Sequence, residues 1–398
     1  METVATPAEP AAAEPPPYND PDVFAVTAQG QDLTFYPAGK DRLERLVRLI
    51  DEAESSLRLA FYIYAPDNSG TRVRDALVRA ARRGVDVSLL VDGFGATAPE
   101  EFFAELVEAG GTFCSFQPHW SVRYLIRNHQ KIAVADERVA MLGGFNVSDE
   151  YFAPPDHNGW HDLGFTVEGS LVAKVVEWYD RLERWTLDPH AKFRSIRRMV
   201  RTWDGGEDPV RLLIGGPTRW FSSWARCVSL EMKEARRLDL IMAYFAPPYS
   251  LLRRIRRIAR KGEARLVMAG KSDNAATVGA ARSLYGFLLS ARAQVWEFQP
   301  CKLHTKLIVL DDSVYVGSAN FDMRSLYINL EIMVKIEDKT LAERMRDFVA
   351  AHEEASIDVT SQVYRQWATP LNRLRWWASW FLVSVVDYTV SRRLNLGL

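Results

Sequence analysis

The residues of this chain that could do chemistry fall into two short, matching patterns. His129 and Lys131 are followed by Asp136, then by Gly143-Gly144-Phe145-Asn146. His304 and Lys306 are followed by Asp311, then by Gly317-Ser318-Ala319-Asn320. Each copy is His-x-Lys-x4-Asp with a trailing Gly-[Gly/Ser]-x-Asn. Lysine ammonium and asparagine amide groups donate to phosphate oxygens and stabilise charge on a phosphoryl group in its transition state. Lys131, Lys306, Asn146 and Asn320 are candidates for that work, with Ser318 beside the last. One imidazole can attack phosphorus while the other protonates the leaving oxygen, and the roles reverse when an alcohol or water attacks the phospho-histidine. This route calls for no metal and no other cofactor. The bland alternative is a set of unrelated structural histidines. With seven histidines in the chain, a chance copy of the motif is expected in roughly one such chain in a hundred. Two copies in matching contexts exclude coincidence.

The elements that must position these groups repeat as well. Residues two apart in a strand share a face, so His129 projects with Lys131 and His304 with Lys306. Val134 and Val309 lie in apolar runs that anchor those strands. Each asparagine is expected on the next strand, after a turn at 136–138 or at 311–313, the first connection one residue longer than the second. Upstream, apolar spacing predicts a helix over 40–54, a strand over 57–64, a helix over 73–83 stopped by Gly84, and a strand over 85–91. That order is a βαβ unit with a parallel sheet. A strand over 238–245, a basic helix over 251–261 stopped by Gly262, and a strand over 264–268 repeat it. The fold expected is α/β: duplicated α-β-α sandwich domains packed about a pseudo-two-fold axis within one chain. The boundaries read as a disordered tail over 1–22, a first domain over 23–205, a second over 206–360 and an amphipathic C-terminal segment over 361–398. The joining linker is 204–208.

Longer stretches carry a family likeness. They are Tyr62-Ile63-Tyr64 with Asp67 and Gly70, Arg82-Arg83-Gly84-Val85-Asp86-Val87, Arg127-Asn128-His129-Gln130-Lys131, Gly143 to Tyr151, Trp160-His161-Asp162, His304-Thr305-Lys306, Gly317 to Leu326, and Asn329-Leu330-Glu331. Together they resemble the phospholipase D superfamily and its bacterial cardiolipin synthase branch, over most of the chain from about Asp32 to Asn372. The resemblance implies that the motif histidines face each other across one site, His129 as nucleophile and His304 as general acid and base. It implies a catalytic set of His129, Lys131, Asp136, His304, Lys306 and Asp311, although the two aspartates are expected to bond near strand ends. Asp162 is expected to orient His129, and Glu331 to orient His304. Arg324, Ser325 and Asn329 either shape the second half-site or serve as scaffold. The branch often has Arg where Gln130 stands; that side chain should point away from the Lys131 face.

Composition sets the remaining limits. The chain has 398 residues, 47% hydrophobic and 25% charged, with a formal net charge of -1. No global field draws it to an anionic polymer, so steering must come from local patches. Cys114, Cys227 and Cys301 are far apart and odd in number, which suggests neither a disulfide framework nor a zinc site. His157 and His161 are four apart, but Pro154-Pro155 and Gly159 argue against a helical metal pair. The N-terminal tail lacks the features of a secretory signal, and no apolar run is long enough to span a bilayer. Basic runs over 192–201 and 253–261 are solvated faces or anionic contacts. The tail bears Trp376, Trp377, Trp380, Phe381 and Leu382 between Arg373 and Arg375 on one side and Arg392 and Arg393 on the other, which suits a helix lying in the membrane interface. The expected activity is transfer of a phosphatidyl group between phospholipids, two phosphatidylglycerols giving cardiolipin and glycerol, with phosphatidylethanolamine as another donor. A phospholipase D hydrolase is the near alternative, a nuclease or a non-catalytic membrane protein the more distant ones. The expected partners are phospholipid and a membrane surface rather than nucleic acid, with peripheral attachment at the cytoplasmic face.

Overall fold

The computed structural model of the chain describes residues 18–117 and 126–387. The first half contributes strands β1 (Phe24–Ala28), β2 (Gln31–Tyr36), β3 (Ser56–Phe61), β4 (Asp86–Asp92), β5 (Thr112–Phe116), β6 (Ile132–Ala135), β7 (Val139–Gly143), β8 (Trp160–His161) and β9 (Gly164–Glu168). Its helices are α1 (Gly39–Asp51), α2 (Asn68–Arg82), α3 (Ala104–Glu108), α4 (Asp149–Phe152), α5 (Leu171–Leu187) and α6 (Phe193–Arg201). The second half contributes β10 (Val210–Ile214), β11 (Arg237–Met242), β12 (Phe245–Ala246), β13 (Glu263–Ala269), β14 (Gln294–Phe298), β15 (Lys302–Leu303), β16 (Lys306–Leu310), β17 (Ser313–Gly317), β18 (Phe321–Asp322), β19 (Ile332–Glu337) and β20 (Ser356–Asp358). Its helices are α7 (Ser223–Glu231), α8 (Tyr249–Lys261), α9 (Ala275–Leu289), α10 (Met323–Tyr327), α11 (Lys339–Glu354), α12 (Ser361–Trp367) and α13 (Pro370–Phe381).

Two eight-stranded sheets result, ordered β1-β2-β9-β7-β6-β3-β4-β5 and β10-β19-β17-β16-β11-β13-β14-β20. The run β2-β9-β7-β6-β3-β4-β5 matches β10-β19-β17-β16-β11-β13-β14 strand for strand, as a duplication requires. The sheets are mixed, which corrects the expected parallel sheet. Only β3-β4-β5 and β11-β13-β14 run parallel. The motif strands β6 and β16 run antiparallel to β3 and β11 and turn straight back into β7 and β17. The tight turns explain this: three residues join β6 to β7 and two join β16 to β17, too few for a parallel crossover. Asp136 and Asp311 occupy the turns with positive φ (53° and 46°), a conformation in which a short polar side chain is tolerated.

One core lies between the two sheets, around Phe35, Phe165, Val314, Val334, Trp178 and Phe348. Separate outer cores lie under α1 and α2 on one sheet, and under α7, α8 and α9 on the other. Polar main-chain contacts stitch the halves beside the motifs. β8 pairs with β15, and Asn128 bridges Leu330. The His129 N–H donates to the Leu330 carbonyl at 2.9 Å, and the His304 N–H to the His161 carbonyl at 2.7 Å.

The ends of the chain differ from the sequence expectation. Of the supposed disordered tail, residues 1–17 lie outside the described residues, but Tyr18 and Asp20 are seated. Asp20 bonds His161 Nδ1 at 2.7 Å, and the Tyr18 ring packs edge-on against Phe298. At the other end α12 and α13 pack on α9, where Gly286 and Gly279 leave room: a Cβ at Gly279 would lie 2.7 Å from Ser379 Oγ. Trp376 is buried there, while Leu371, Leu374, Trp377, Phe381, Leu382 and Val386 stay exposed. The helix is thus packed on the core by one face and apolar on the opposite face as well. Arg392 and Arg393 lie outside the described residues.

The Asp136 carboxylate accepts the N–H groups of Glu54, Ser55 and Ser56 and the Ser55 hydroxyl, at 2.7–3.2 Å. Partial burial would raise its pKa, but these bonds outweigh that and hold it at about 2. A depressed carboxylate stabilises the fold above its unfolded pKa and loses that contribution as pH falls toward 2. Asp136→Ala should therefore cost about 1–3 kcal/mol at neutral pH, read as a lower melting temperature, with the difference from wild type shrinking below pH 4. Turnover per folded molecule should persist.

Candidate active site

The four motif side chains His129, Lys131, His304 and Lys306 meet in one buried site between the halves. His129 and Lys131 lie on the extended run that leads into β6 rather than within it, while His304 directly follows β15 and Lys306 opens β16. Alternation still holds, so each histidine and its lysine share a side. The two aspartates are not there. Asp136 sits beyond the four residues of β6, roughly 13 Å further along at strand rise. Asp311 caps the start of β11 through the Arg236 and Arg237 N–H groups. Both belong to the frame, which corrects their place in the catalytic set.

The carboxylates that orient the histidines are crossed relative to expectation. His129 Nδ1 bonds Glu331 Oε2 at 3.0 Å, and His304 Nδ1 bonds Asp162 Oδ2 at 2.6 Å. Each histidine is oriented by the other half of the chain. The inter-half main-chain contacts dictate this: the Asn128–Leu330 bridge brings His129 beside Glu331, and the His304-to-His161 bond brings His304 beside Asp162. With Nδ1–H donated to a carboxylate, the Nε2 lone pair of each ring is left for chemistry.

Each carboxylate is itself held. Glu331 is fully buried and accepts the Ser318 and Ser325 hydroxyls (2.5 and 2.8 Å) and the Asn329 amide (3.4 Å). Ser318 also accepts the Ile332 N–H at 3.1 Å. Its hydroxyl is therefore committed to Glu331, which corrects its assignment to phosphate binding. Gly144, the equivalent position in the first copy, faces Asp162: a Cβ there would come within 2.6 Å of Asp162 Oδ1. The chain segment carrying Asp162 is fixed by Arg42, a buried guanidinium that donates to the Asp162, Tyr151 and Trp160 carbonyls at 2.5–3.2 Å. His161 turns away to Asp20 and to His352 (2.6 Å), and His157 is exposed, so the two do not converge on a metal. Gln130 points into the core, where it accepts from Trp178 Nε1 and donates to the Glu331 carbonyl.

Both lysines are buried. Lys131 donates to the His129 carbonyl at 2.6 Å; Lys306 donates to the His304 carbonyl and lies 2.6 Å from His304 Nδ1. Burial lowers Lys131 to about 7 and Lys306 to about 8, against the pull of Glu331 and Asp162. Burial also lowers both histidines, His304 to about 3, with Lys306 adding to the effect there. Asn146 Oδ1 accepts the Ile63 N–H at 3.0 Å, which leaves its buried Nδ2 to the Tyr151 hydroxyl and the site. The carboxylates of Asp162 and Glu331 balance the two ammonium groups, so the lysines and the Asn146 amide offer a phosphodiester hydrogen-bond donors in a site without excess charge of either sign.

The two histidines differ in surroundings. The His304 ring is enclosed by Tyr151 and Trp160, with centroids 5.1 and 5.0 Å away, and by Tyr244 at 6.4 Å. The His129 side chain keeps 12% exposure against 4% for His304, and Tyr62 lies beside it at 5.1 Å. Sequence reasoning gave no role to Tyr62 and Tyr244. A signal existed: both fall in the short segment between a matching strand, β3 or β11, and an Ala-Pro pair (Ala65-Pro66, Ala246-Pro247), offset by one position from each other.

The family described as "Cardiolipin synthase, PLD-like domain" matches residues 46–183 and 230–352. The chain belongs to the phospholipase D superfamily, in its cardiolipin synthase branch. By that membership it is a phosphatidyltransferase. Among its relatives, the major cardiolipin synthase of Bacillus subtilis is 31% identical over 81% of this chain and 68% of its own length. Cardiolipin synthase 1 of Bacillus cereus is 30% identical, and this chain spans 64% of that protein's length. Cardiolipin synthase B of Escherichia coli K12 is 30% identical over 85% of each chain. The crystal structure of a phosphatidylserine synthase from Haemophilus influenzae superposes with a TM-score of 0.71 at 13% identity, covering 93% of this chain and 96% of that one. The last match speaks for the fold alone.

If the ammonium forms of Lys131 and Lys306 bind the phosphodiester, kcat/KM should fall as pH rises through about 7 to 8. Substrate anion favours the charged lysines, so the corresponding limb in kcat should lie at higher pH. Initial rates across pH, analysed separately for kcat/KM and kcat, check this.

Proposed function

We propose that this chain transfers a phosphatidyl group from one phosphatidylglycerol to the hydroxyl of another, giving cardiolipin and glycerol through a phospho-histidine. The observation that carries the reading is the pair of imidazoles, each oriented by a carboxylate from the opposite half, with two buried ammonium groups between them. His129 Nε2 attacks phosphorus, and the bond from phosphorus to the glycerol oxygen breaks. His304 supplies the proton to that oxygen. Burial and Lys306 disfavour protonation of His304, and an entering phosphodiester anion offsets both, so binding favours the protonated acid. In the second half-reaction His304 takes the proton from the incoming hydroxyl, whose oxygen displaces His129. Lys131, Lys306, Asn146 and Asn320 hold the phosphoryl oxygens. Phosphatidylethanolamine would fit the same chemistry as a donor.

Hydrolysis shares the first half-reaction and differs in the acceptor. The aromatic enclosure around His304, where the acceptor must be deprotonated, supports an alcohol over water. The names of the relatives favour a lipid substrate over a nucleic acid. Peripheral attachment at the cytoplasmic face fits three unpaired, buried cysteines. Among the described residues no helix is long and apolar enough to cross a membrane.

Labelled phosphatidylglycerol in mixed micelles should yield cardiolipin and glycerol, with both products lost in His129→Ala and in His304→Ala. Phosphatidic acid as the sole product would establish the hydrolase instead. The roles separate with a good leaving group. Asp162→Asn, which weakens the general acid, should lose about 10²-fold or more on phosphatidylglycerol and much less on a p-nitrophenyl phosphodiester. Glu331→Gln, which weakens the nucleophile, should be impaired on both; equal impairment of the two variants on both substrates would reverse or void the assignment.

A further inference from the structure

The outer layer of the second half carries two features that catalysis does not use. The first is α8. Leu251, Leu252, Ile255, Ile258 and Ala259 bury one face of it, leaving Arg253, Arg256, Arg257, Arg260 and Lys261 around a groove of about 460 Å³. Tyr249 and Phe287 form its apolar walls. The guanidinium of Arg256 stacks 4.0 Å from the Phe287 ring centroid, and that of Arg253 lies 5.4 Å from Tyr249. Among the described residues none of these basic groups pairs with a carboxylate; Arg257 donates to the Met232 carbonyl instead. Concentrating like charge on one groove without counter-ions is unfavourable unless an anion occupies it.

The second feature is the outer face of α13. Leu371, Leu374, Trp377 and Phe381, with Leu382 and Val386 on the helical turn that continues it (Leu382–Asp387), recur at helical spacing, all exposed, Leu374 at 63% and Trp377 at 57%. Arg373 and Arg375 are exposed beside them. Helix α9 joins the two features, holding α8 through Phe287 and α13 through Gly279. It also sets their distance from the chemistry. Its first turn is capped by Asn274, and the adjacent Asp273 accepts the Tyr244 hydroxyl at 2.9 Å. The Tyr244 ring in turn flanks His304. Ser379 abuts Gly279, about one and a half turns or roughly 8 Å along α9 from that cap. The end of α13 therefore lies at the rim of the active-site end.

We infer that the α8 groove and the outer face of α13 together form the docking surface for an anionic lipid bilayer. The arginines take the headgroups and the α13 residues enter the interface, setting the active site at headgroup level. This rests on the membrane-lipid reading above and adds the face and the charge of the partner. An apolar stripe with basic flanks suits the interface, and basic residues near it are attracted to anionic leaflets. A second copy of the chain is a poor occupant, since it would set arginine grooves against each other.

The test is co-sedimentation of the full chain with vesicles of phosphatidylcholine alone and of equimolar phosphatidylcholine and phosphatidylglycerol. Wild type should bind the second selectively, and more weakly as salt rises. Arg253→Glu/Arg256→Glu/Arg260→Glu should lose about a hundredfold in partitioning onto them. Leu374→Ser/Trp377→Ser should lose binding that salt does not modulate. Both should keep wild-type thermal melting and turnover of phosphatidylglycerol in detergent micelles, so a failed docking surface is distinguished from a failed lipid enzyme. If the charge-reversed variant does not fold, the corresponding Arg→Gln triple takes its place. Undiminished vesicle binding by either variant overturns the proposal. So does equal wild-type binding to neutral vesicles, or a change in solution mass caused by the α13 substitutions.

Discussion

The constraint on which the site depends is the exchange of carboxylates between the halves. Two lysines and two histidines are buried close enough to act on one another's protonation, an arrangement that repels itself and is poorly solvated. Asp162 and Glu331 make it tolerable, and each is supplied to the histidine of the opposite half. Neither half alone has an oriented histidine. The short inter-half pairing of β8 with β15 and the Asn128–Leu330 bridge are therefore as much part of the catalytic apparatus as the side chains they place. Breaking a buried charged network on one side leaves uncompensated charge on the other, so docking of the halves and assembly of the site are one event.

The pseudo-symmetry sets up two equivalent histidines, and the surroundings then make them unequal. Tyr151 and Trp160, both from the first half, close over His304 in the second, while His129 keeps an open side next to Tyr62. The two-step transfer proposed above needs that inequality. One ring must be reachable by a bulky phosphodiester, and the other must exchange a proton with an alcohol while water is kept off. Ser318 and Gly144 mark the same divergence, the first bonding its neighbouring carboxylate and the second leaving room for one.

The basic groove on α8 and the apolar face of α13 occupy the outer helical layer of one half, so the molecule is symmetric in its active-site frame and asymmetric in the surface around it. Helix α9 does both jobs, with its first turn at the site and its flanks carrying α8 and α13.

Much of this was legible in the sequence. The doubled His-x-Lys-x4-Asp pattern marked the four side chains that meet in the buried site, because the proposed nucleophile, acid and phosphate donors are side chains whose types cannot be exchanged. Apolar periodicity located α1, α2, β4, α8 and β13 to within a few residues, because burying one face imposes that spacing. The antiparallel course of β6 and β16 escaped, although the two- and three-residue turns implied it. Three things were decided by the tertiary structure. Asp136 and Asp311 left the site because strand length, not motif membership, sets where a side chain lies. Ser318 turned to Glu331 because a buried carboxylate must be bonded. Asp162 and Glu331 crossed to opposite histidines because orientation depends on which segments of the two halves pair, a long-range choice that no local spacing records.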